Sequence, residues 1–262
     1  MTTNTAYDHI RVEKNSESKT ATIIFDRPEK MNYISMLARA QFAEIFTELD
    51  KDDNVRVIII KGEGDKAFSA GGNIQQFMDT HPEELSRLRV NVAAPERSPK
   101  PVIAQLQGYT FGVGFEIAMA CDFRIAADDT LLGLPEMNLG MIPGSGGTQR
   151  VAKAVGLTRA KDMIMRARRI PADEAYQWGL LTKVVAKGDL ESEVNALAKE
   201  LTRFSPLAQR VAKEVLHAAE EGPLSTGLEI EGRAYGMLRC TDDFKEGVEA
   251  FYEKRKPNFT GK

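Results

Sequence analysis

The sequence predicts an α/β fold that gives way to a helical C-terminal segment, and three observations carry that prediction. Short β-branched runs alternate with amphipathic helical stretches through residue 150. Glycine-rich turns separate several of these runs from the helix that follows. Beyond residue 150 the apolar residues recur almost only at helical spacing. With 262 residues and 42% apolar content, the chain can bury a sizeable core as one large domain or as a core with a smaller appendage.

In chain order, Thr20–Phe25 (T-A-T-I-I-F) reads as a strand ended by the Asp26-Arg27-Pro28 turn. Residues 35–50 repeat apolar positions at helical spacing, with Ser35 placed to cap the helix start. Val55–Lys61 has the composition of a buried strand; a glycine-punctuated loop follows and runs into A-F-S-A-G-G-N-I. Pro82–Arg89 is a short helix whose proline sits where its missing N–H costs nothing. Val102–Leu106 is the next strand, Gly112-Val113-Gly114 turns the chain into a helix over 115–121, and Phe123–Ala127 is another short strand. Helical patterning then covers Leu157–Arg168, Ala172–Trp178, Leu190–Phe204, Leu207–Glu220 and Leu224–Leu238, with Thr182–Val185 as the strand signal among them. No fixed-period repeat or low-complexity linker is present, so the helical part is expected to pack on the core or on a neighbouring subunit.

Composition narrows the function classes. A net charge of −3 and a pI of about 5.8 give no support for a polynucleotide site. The basic clusters Arg166, Arg168, Arg169 and Lys254, Arg255, Lys256 read as solvated faces or contacts to a small anionic ligand. Neither Cys121 nor Cys240 belongs to a C-x-x-C or His-bearing metal motif, and Cys121 reads as a buried thiol. The scattered His9, His81 and His217 support neither a His-based metal site nor a Ser-His-Asp triad. The N-terminus has no basic start or apolar h-region, and no apolar run reaches the ~18 residues of a membrane span, so a reducing cytoplasm is the expected compartment.

Glu116 and Glu136 stand out because each carboxylate is flanked by small and apolar residues beside a glycine-rich turn. Buried carboxylates are tied down or put to use. On the residues alone, Glu116 is either a first-turn helix residue stabilised by the helix dipole or a catalytic group; Glu136 is either a cap or a catalytic group. Phe68-Ser69-Ala70-Gly71-Gly72-Asn73 is either an ordinary tight turn or a loop that brings backbone N–H groups to a ligand. The strand–turn–helix from Gly108 to Glu116 places free N–H groups where an oxyanion would be favoured, or needs glycine for geometry only. The run P-G-S-G-G (143–147) reads as another close backbone approach.

These segments resemble the crotonase superfamily, the enoyl-CoA hydratase/isomerase group. The resemblance extends from about Thr20 to the C-terminus. It rests on D-R-P-E-K-M-N (26–32), F-S-A-G-G-N-I (68–74), K-P-V-I-A (100–104), G-Y-T-F-G-V-G-F-E-I-A-M-A-C-D (108–122), L-P-E-M-N-L-G-M-I-P-G-S-G-G-T-Q-R (134–150), the W-G-L-L-T-K-V-V segment ending at 185 and E-G-V-E-A-F-Y-E-K-R-K-P-N-F (246–259). It implies a spiral α/β core of ββα units over 1–200 and a helical segment over 201–262 serving oligomerisation and CoA contacts. It implies a hydro-lyase of fatty-acid β-oxidation that reversibly adds water, syn, to a trans-2-enoyl-CoA, giving a 3-hydroxyacyl-CoA, with no metal or redox cofactor.

By motif position, the resemblance places the oxyanion-hole amides on Ala70 and Val113. It assigns the attacking water to Glu116 and the Cα proton to Glu136, with Gly144 near the water. Ala70, Gly71, Gly72 and Asn73 would contact the adenine end of CoA, and Lys30 and Met31 would flank its phosphates and ribose. Phe251 and Lys254 would reach the CoA of a neighbouring subunit in a trimer or a dimer of trimers. Retention of both glutamates favours a hydratase over an isomerase or hydrolase and leaves a hydratase of cyclic or aromatic-pathway CoA esters as the alternative. Association with RNA, known among relatives, finds little support in the acidic balance. Departures from the common pattern are Asn73 for Asp, Val113 within the usual triple glycine, Tyr33 for a small residue, and M-R-A-R-R-I (165–170); Val113 and Tyr33 are expected to bear on the acyl pocket.

Overall fold

The structure is a computed structural model that describes residues 2–262, with side-chain surroundings described from Tyr7 onward. A seven-stranded sheet runs in the order β1-β2-β3-β4-β6-β8-β11, formed by β1 (Thr2–Ala6), β2 (Ile10–Asn15), β3 (Thr20–Phe25), β4 (Val57–Gly62), β6 (Val102–Leu106), β8 (Phe123–Ala127) and β11 (Lys183–Val185). β1, β2 and β3 pair antiparallel, and the pairs from β3 through β11 are parallel. A second sheet orders β10 (Arg169–Pro171), β9 (Leu131–Gly133), β7 (Tyr109–Phe111) and β5 (Ala67–Ser69).

The chain winds through both sheets in three similar turns. β4 leads to β5 and helix α2 (Ile74–Asp79); β6 leads to β7 and α6 (Val113–Met119); β8 leads to β9 and α7 (Gly147–Met165). Because β5, β7 and β9 are parallel neighbours, the loops that leave their C-terminal ends converge. Those loops are Ala70–Asn73, Gly112 and Leu134–Glu136, which carry the residues singled out from the sequence.

The apolar strand runs are explained by burial on both faces. Ile58, Ile60, Ala104, Leu106 and Ala126 face the main core with Phe68, Phe115 and Leu132. Val57, Ile59, Ile103 and Ile125 face α9 (Leu190–Leu201) through Leu190, Val194 and Ala198. Helix α1 (Met36–Asp50) begins at the expected cap: Ser35 Oγ accepts from the Ala38 N–H at 3.0 Å. Its face bearing Phe42, Ile45, Phe46 and Leu49 is buried, with Phe42 5.8 Å from Phe25, ring to ring.

Between the first two turns lie α3 (Pro82–Ser86), α4 (Arg89–Val92) and α5 (Ala94–Arg97), so the single helix expected over 82–89 is broken. The helix bearing Glu116 starts at Val113, two residues earlier than expected. Helix α7 starts at Gly147, ahead of the helix expected from Leu157, and Gly156 with φ 78° interrupts it just before that residue. After α8 (Ala172–Gln177) and α9 come α10 (Pro206–Glu221), α11 (Leu224–Leu238) and α12 (Asp242–Glu253), the last within the helical segment that the resemblance implies but outside the helices read from periodicity. Lys213 of α10 donates to Asp122 at 2.8 Å and to the Pro95 carbonyl at 2.8 Å, fastening that helix to the core.

Candidate active site

The first carboxylate sits in the first turn of α6. Gly112 caps that helix with φ 52°, a left-handed conformation that glycine tolerates best. Glu116 is only 2% exposed. Its Oε1 accepts the Ser145 N–H at 2.8 Å and the Gly147 N–H at 2.9 Å. The P-G-S-G-G run thus makes the close approach that its glycines predict, and what it approaches is Glu116. A Cβ on Gly147 would lie 3.0 Å from that same Oε1, so the wrap needs glycine there. Two hydrogen bonds to a carboxylate, worth about 1.5–3 kcal/mol each, offset part of its burial cost.

The second carboxylate is held differently. Glu136 lies in a 3-10 turn, Pro135–Leu139, and its Oε2 is sealed from solvent with no hydrogen-bond partner among the described residues. Burial is the main cause that pushes its pKa from 4.5 up to about 7. A backbone hydrogen bond and Arg39 oppose the rise, while the Glu116 charge adds to it. A Cβ at Gly112 would lie 3.1 Å from Glu136 Oε1, so this glycine serves both carboxylates.

Arg39 of α1 completes the charged group, and the sequence reading missed it. It is 4% exposed, donates through an Nη to Ser145 Oγ at 3.3 Å, and lies 5.4 Å above the Phe77 ring. Burial lowers its pKa to about 10, against the pull of Glu116 and Glu136. The available signal was an arginine on the apolar face that carries Ala38 and Phe42.

Ala70, Gly71, Gly72, Val113, Glu116, Glu136 and Gly144 all line one cavity of about 140 Å³, with Arg39 and the apolar Phe77, Leu85 and Leu88. The two expected oxyanion amides differ. The Val113 N–H, in the first turn of α6, has no acceptor among the described residues, whereas the Ala70 N–H donates to the Met31 carbonyl at 2.9 Å. Of the two amides that the resemblance assigns to an oxyanion hole, one is thus open and one is engaged within the chain. Neither chain periodicity nor the motif reports that Met31 would turn its carbonyl inward; Met31 and Asn32 both adopt positive φ, 51° and 53°.

Lys30, Met31, Asn73, Phe251 and Lys254 do not line this cavity. Lys30 and Met31 are exposed, Met31 being tied to the cavity-lining Ala70 by the hydrogen bond to its carbonyl, and Phe251 is 79% exposed on α12, which Lys254 terminates. Val113 lines the cavity, as expected, but Tyr33 does not: its ring lies 4.5 Å from the Arg27 guanidinium instead. Cys121 is buried, as its apolar surroundings predict, and burial pushes its thiol up to about 12. Among the described residues no group of three or more His, Cys, Asp or Glu could hold a metal ion, and no helix is long and apolar enough to cross a membrane.

Residues 15–262 match the model of the enoyl-CoA hydratase/isomerase family. The chain belongs to the enoyl-CoA hydratase/isomerase family, within the crotonase superfamily. It is similar to the crotonyl-CoA hydratase of Syntrophomonas wolfei, 39% identical over 98% of this chain and 100% of the relative. It is also similar to the short-chain-enoyl-CoA hydratase of Clostridium acetobutylicum, 34% identical over 92% of this chain and 94% of the relative. The crystal structure of an enoyl-CoA hydratase from Bacillus anthracis superposes with a TM-score of 0.92 at 37% identity, covering 97% of this chain and 100% of that one.

Proposed function

We propose that the chain is an enoyl-CoA hydratase, a hydro-lyase that reversibly adds water, syn, across the double bond of a trans-2-enoyl-CoA. The observation that carries this reading is the unequal treatment of two carboxylates in one cavity. One oxygen of Glu116 is fixed by two amides, which leaves the other to orient water; Glu136 keeps its Oε2 without a hydrogen-bond partner among the described residues, with a pKa near neutrality suited to proton transfer. Water oxygen bonds to Cβ while Glu116 takes a water proton. Glu136 delivers a proton to Cα, and the C=C π pair becomes the new C–H bond through an enolate-like transition state. The negative charge on the thioester oxygen is stabilised by the Val113 N–H, which is open to it at the start of α6.

The rest of the assignment follows the family resemblance. Gly144 adjoins the water; Ala70–Asn73, Lys30 and Met31 contact CoA; no separate cofactor takes part. Phe251 and Lys254 meet the CoA of an adjacent subunit in a homotrimer or dimer of trimers, a reading supported by the exposed apolar side chains Leu224, Tyr235, Phe251 and Tyr252 of the C-terminal helices. The enzyme works in the cytoplasm on an acyl-CoA thioester. The test is crotonyl-CoA hydration, followed as loss of enoyl thioester absorbance. Glu116→Gln and Glu136→Gln should each lower kcat by roughly 100-fold or more with circular dichroism unchanged. Near-native turnover in either variant would remove that residue from the mechanism.

A further inference from the structure

Arg39 is a guanidinium with more donors than the protein uses. It carries five N–H groups, and the hydrogen bond it makes among the described residues is the long one to Ser145 Oγ at 3.3 Å. Among the described residues its Nε is sealed from solvent and has no acceptor. Glu116 and Glu136 act on it through their fields only. Burying such a group without acceptors is unfavourable, and an aliphatic residue would fit the apolar face of α1 at lower cost. The Phe77 ring beneath it holds the guanidinium plane in place. The cavity it shares with Glu116, Glu136 and Ser145 is walled elsewhere by apolar side chains that include Leu85, Leu88 and Ile142.

We propose that Arg39 is a specificity-determining residue whose free donors bind an oxygen on the acyl group, so that the preferred substrate is a 2-enoyl-CoA carrying an acceptor oxygen beyond its double bond. This rests on the hydratase reading of the same cavity. A plain alkyl chain leaves the donors unmatched, whereas a hydroxyl, keto or carboxylate oxygen satisfies them. Sites that are built to hydrogen-bond a polar substituent reject analogues lacking it far more strongly than apolar pockets reject a misplaced one.

The experiment compares kcat/KM for one alkyl 2-enoyl-CoA and its same-length hydroxy, keto and carboxy analogues, in the wild type, Arg39→Met and Arg39→Lys. In the wild type at least one oxygenated analogue should exceed the alkyl substrate by roughly tenfold or more. In Arg39→Met that ratio should collapse to near unity; Arg39→Lys, which keeps charge but not the fork, should fall between. The arm that wins identifies the oxygen as neutral or anionic. Hydration of the alkyl substrate with equal or lower values for all three analogues would overturn the inference while leaving the hydratase reading intact. A uniform loss across the panel in Arg39→Met would reduce Arg39 to a support for Ser145. Should Arg39→Met fail to fold by circular dichroism, the wild-type panel and Arg39→Lys still decide. Hydration of none of the four would sink the hydratase reading, and this inference with it.

Discussion

Glu136→Gln tests the burial of the second carboxylate separately from its chemistry. Its pKa is 4.5 when solvated and about 7 in the folded protein. The raised value means that folding favours the protonated form. This carboxyl's contribution to stability is therefore fully present below about pH 4.5 and is lost as pH rises through about 7. The interval corresponds to about 3 kcal/mol, most of it falling between pH 5 and pH 8. Glutamine has nearly the same shape and cannot ionise, so the variant lacks this slope. Any fixed cost of burying the amide is the same at every pH and cancels from the comparison. Urea unfolding of both proteins at matched concentration, from pH 5 to pH 8, should show the variant gaining on the wild type by about 2–3 kcal/mol across that range. Parallel stability curves would refute the reasoning, because they would mean that Glu136 ionises in the folded state as easily as in water.

Three further outcomes follow from the same geometry. Gly112→Ala should lose roughly 1–3 kcal/mol of stability and most activity, since φ is 52° and the new Cβ would press on Glu136 Oε1; a fully active, equally stable variant in thermal melts and turnover assays would contradict this. Lys213→Met leaves Asp122 without its cation in a site where burial already raises its pKa, and should cost roughly 3 kcal/mol by urea unfolding; a change within about 0.5 kcal/mol would mean α10 is held by other contacts. Cys121, with its thiol pushed up to about 12 and its Sγ against the Ile117 carbonyl at 3.3 Å, should resist iodoacetamide in the native protein and react once denaturant is added; mass spectrometry of the labelled peptides decides.

What the sequence determined by itself was whatever depends on neighbours along the chain. The strands Thr20–Phe25, Val102–Leu106 and Phe123–Ala127 matched residue for residue, because β-branched runs report burial locally. The Ser35 cap and the start of α1 were equally legible. Glu116 and Glu136 stood out because charge among glycines and apolar residues is itself a local contrast. Strands β5, β7 and β9 did not, since three residues each inside glycine-rich segments carry no periodicity, and only pairing with one another makes them a sheet. Helix α12 was hidden by its charged, exposed face.

Only the tertiary structure decided the state of each site group, because every deciding contact joins residues far apart in sequence. The Ser145 and Gly147 amides reach Glu116 from a different turn of the spiral, and the Met31 carbonyl takes the Ala70 N–H from another. The charge on α1 that shares the cavity with both carboxylates arrives from yet a third. Hydrogen bonding and desolvation act over a few ångströms of space, not of chain. The same two glutamates that the sequence presents as a pair are for that reason unlike in the folded protein, one held by the amides of a distant loop and one with an oxygen sealed from solvent and unpartnered among the described residues.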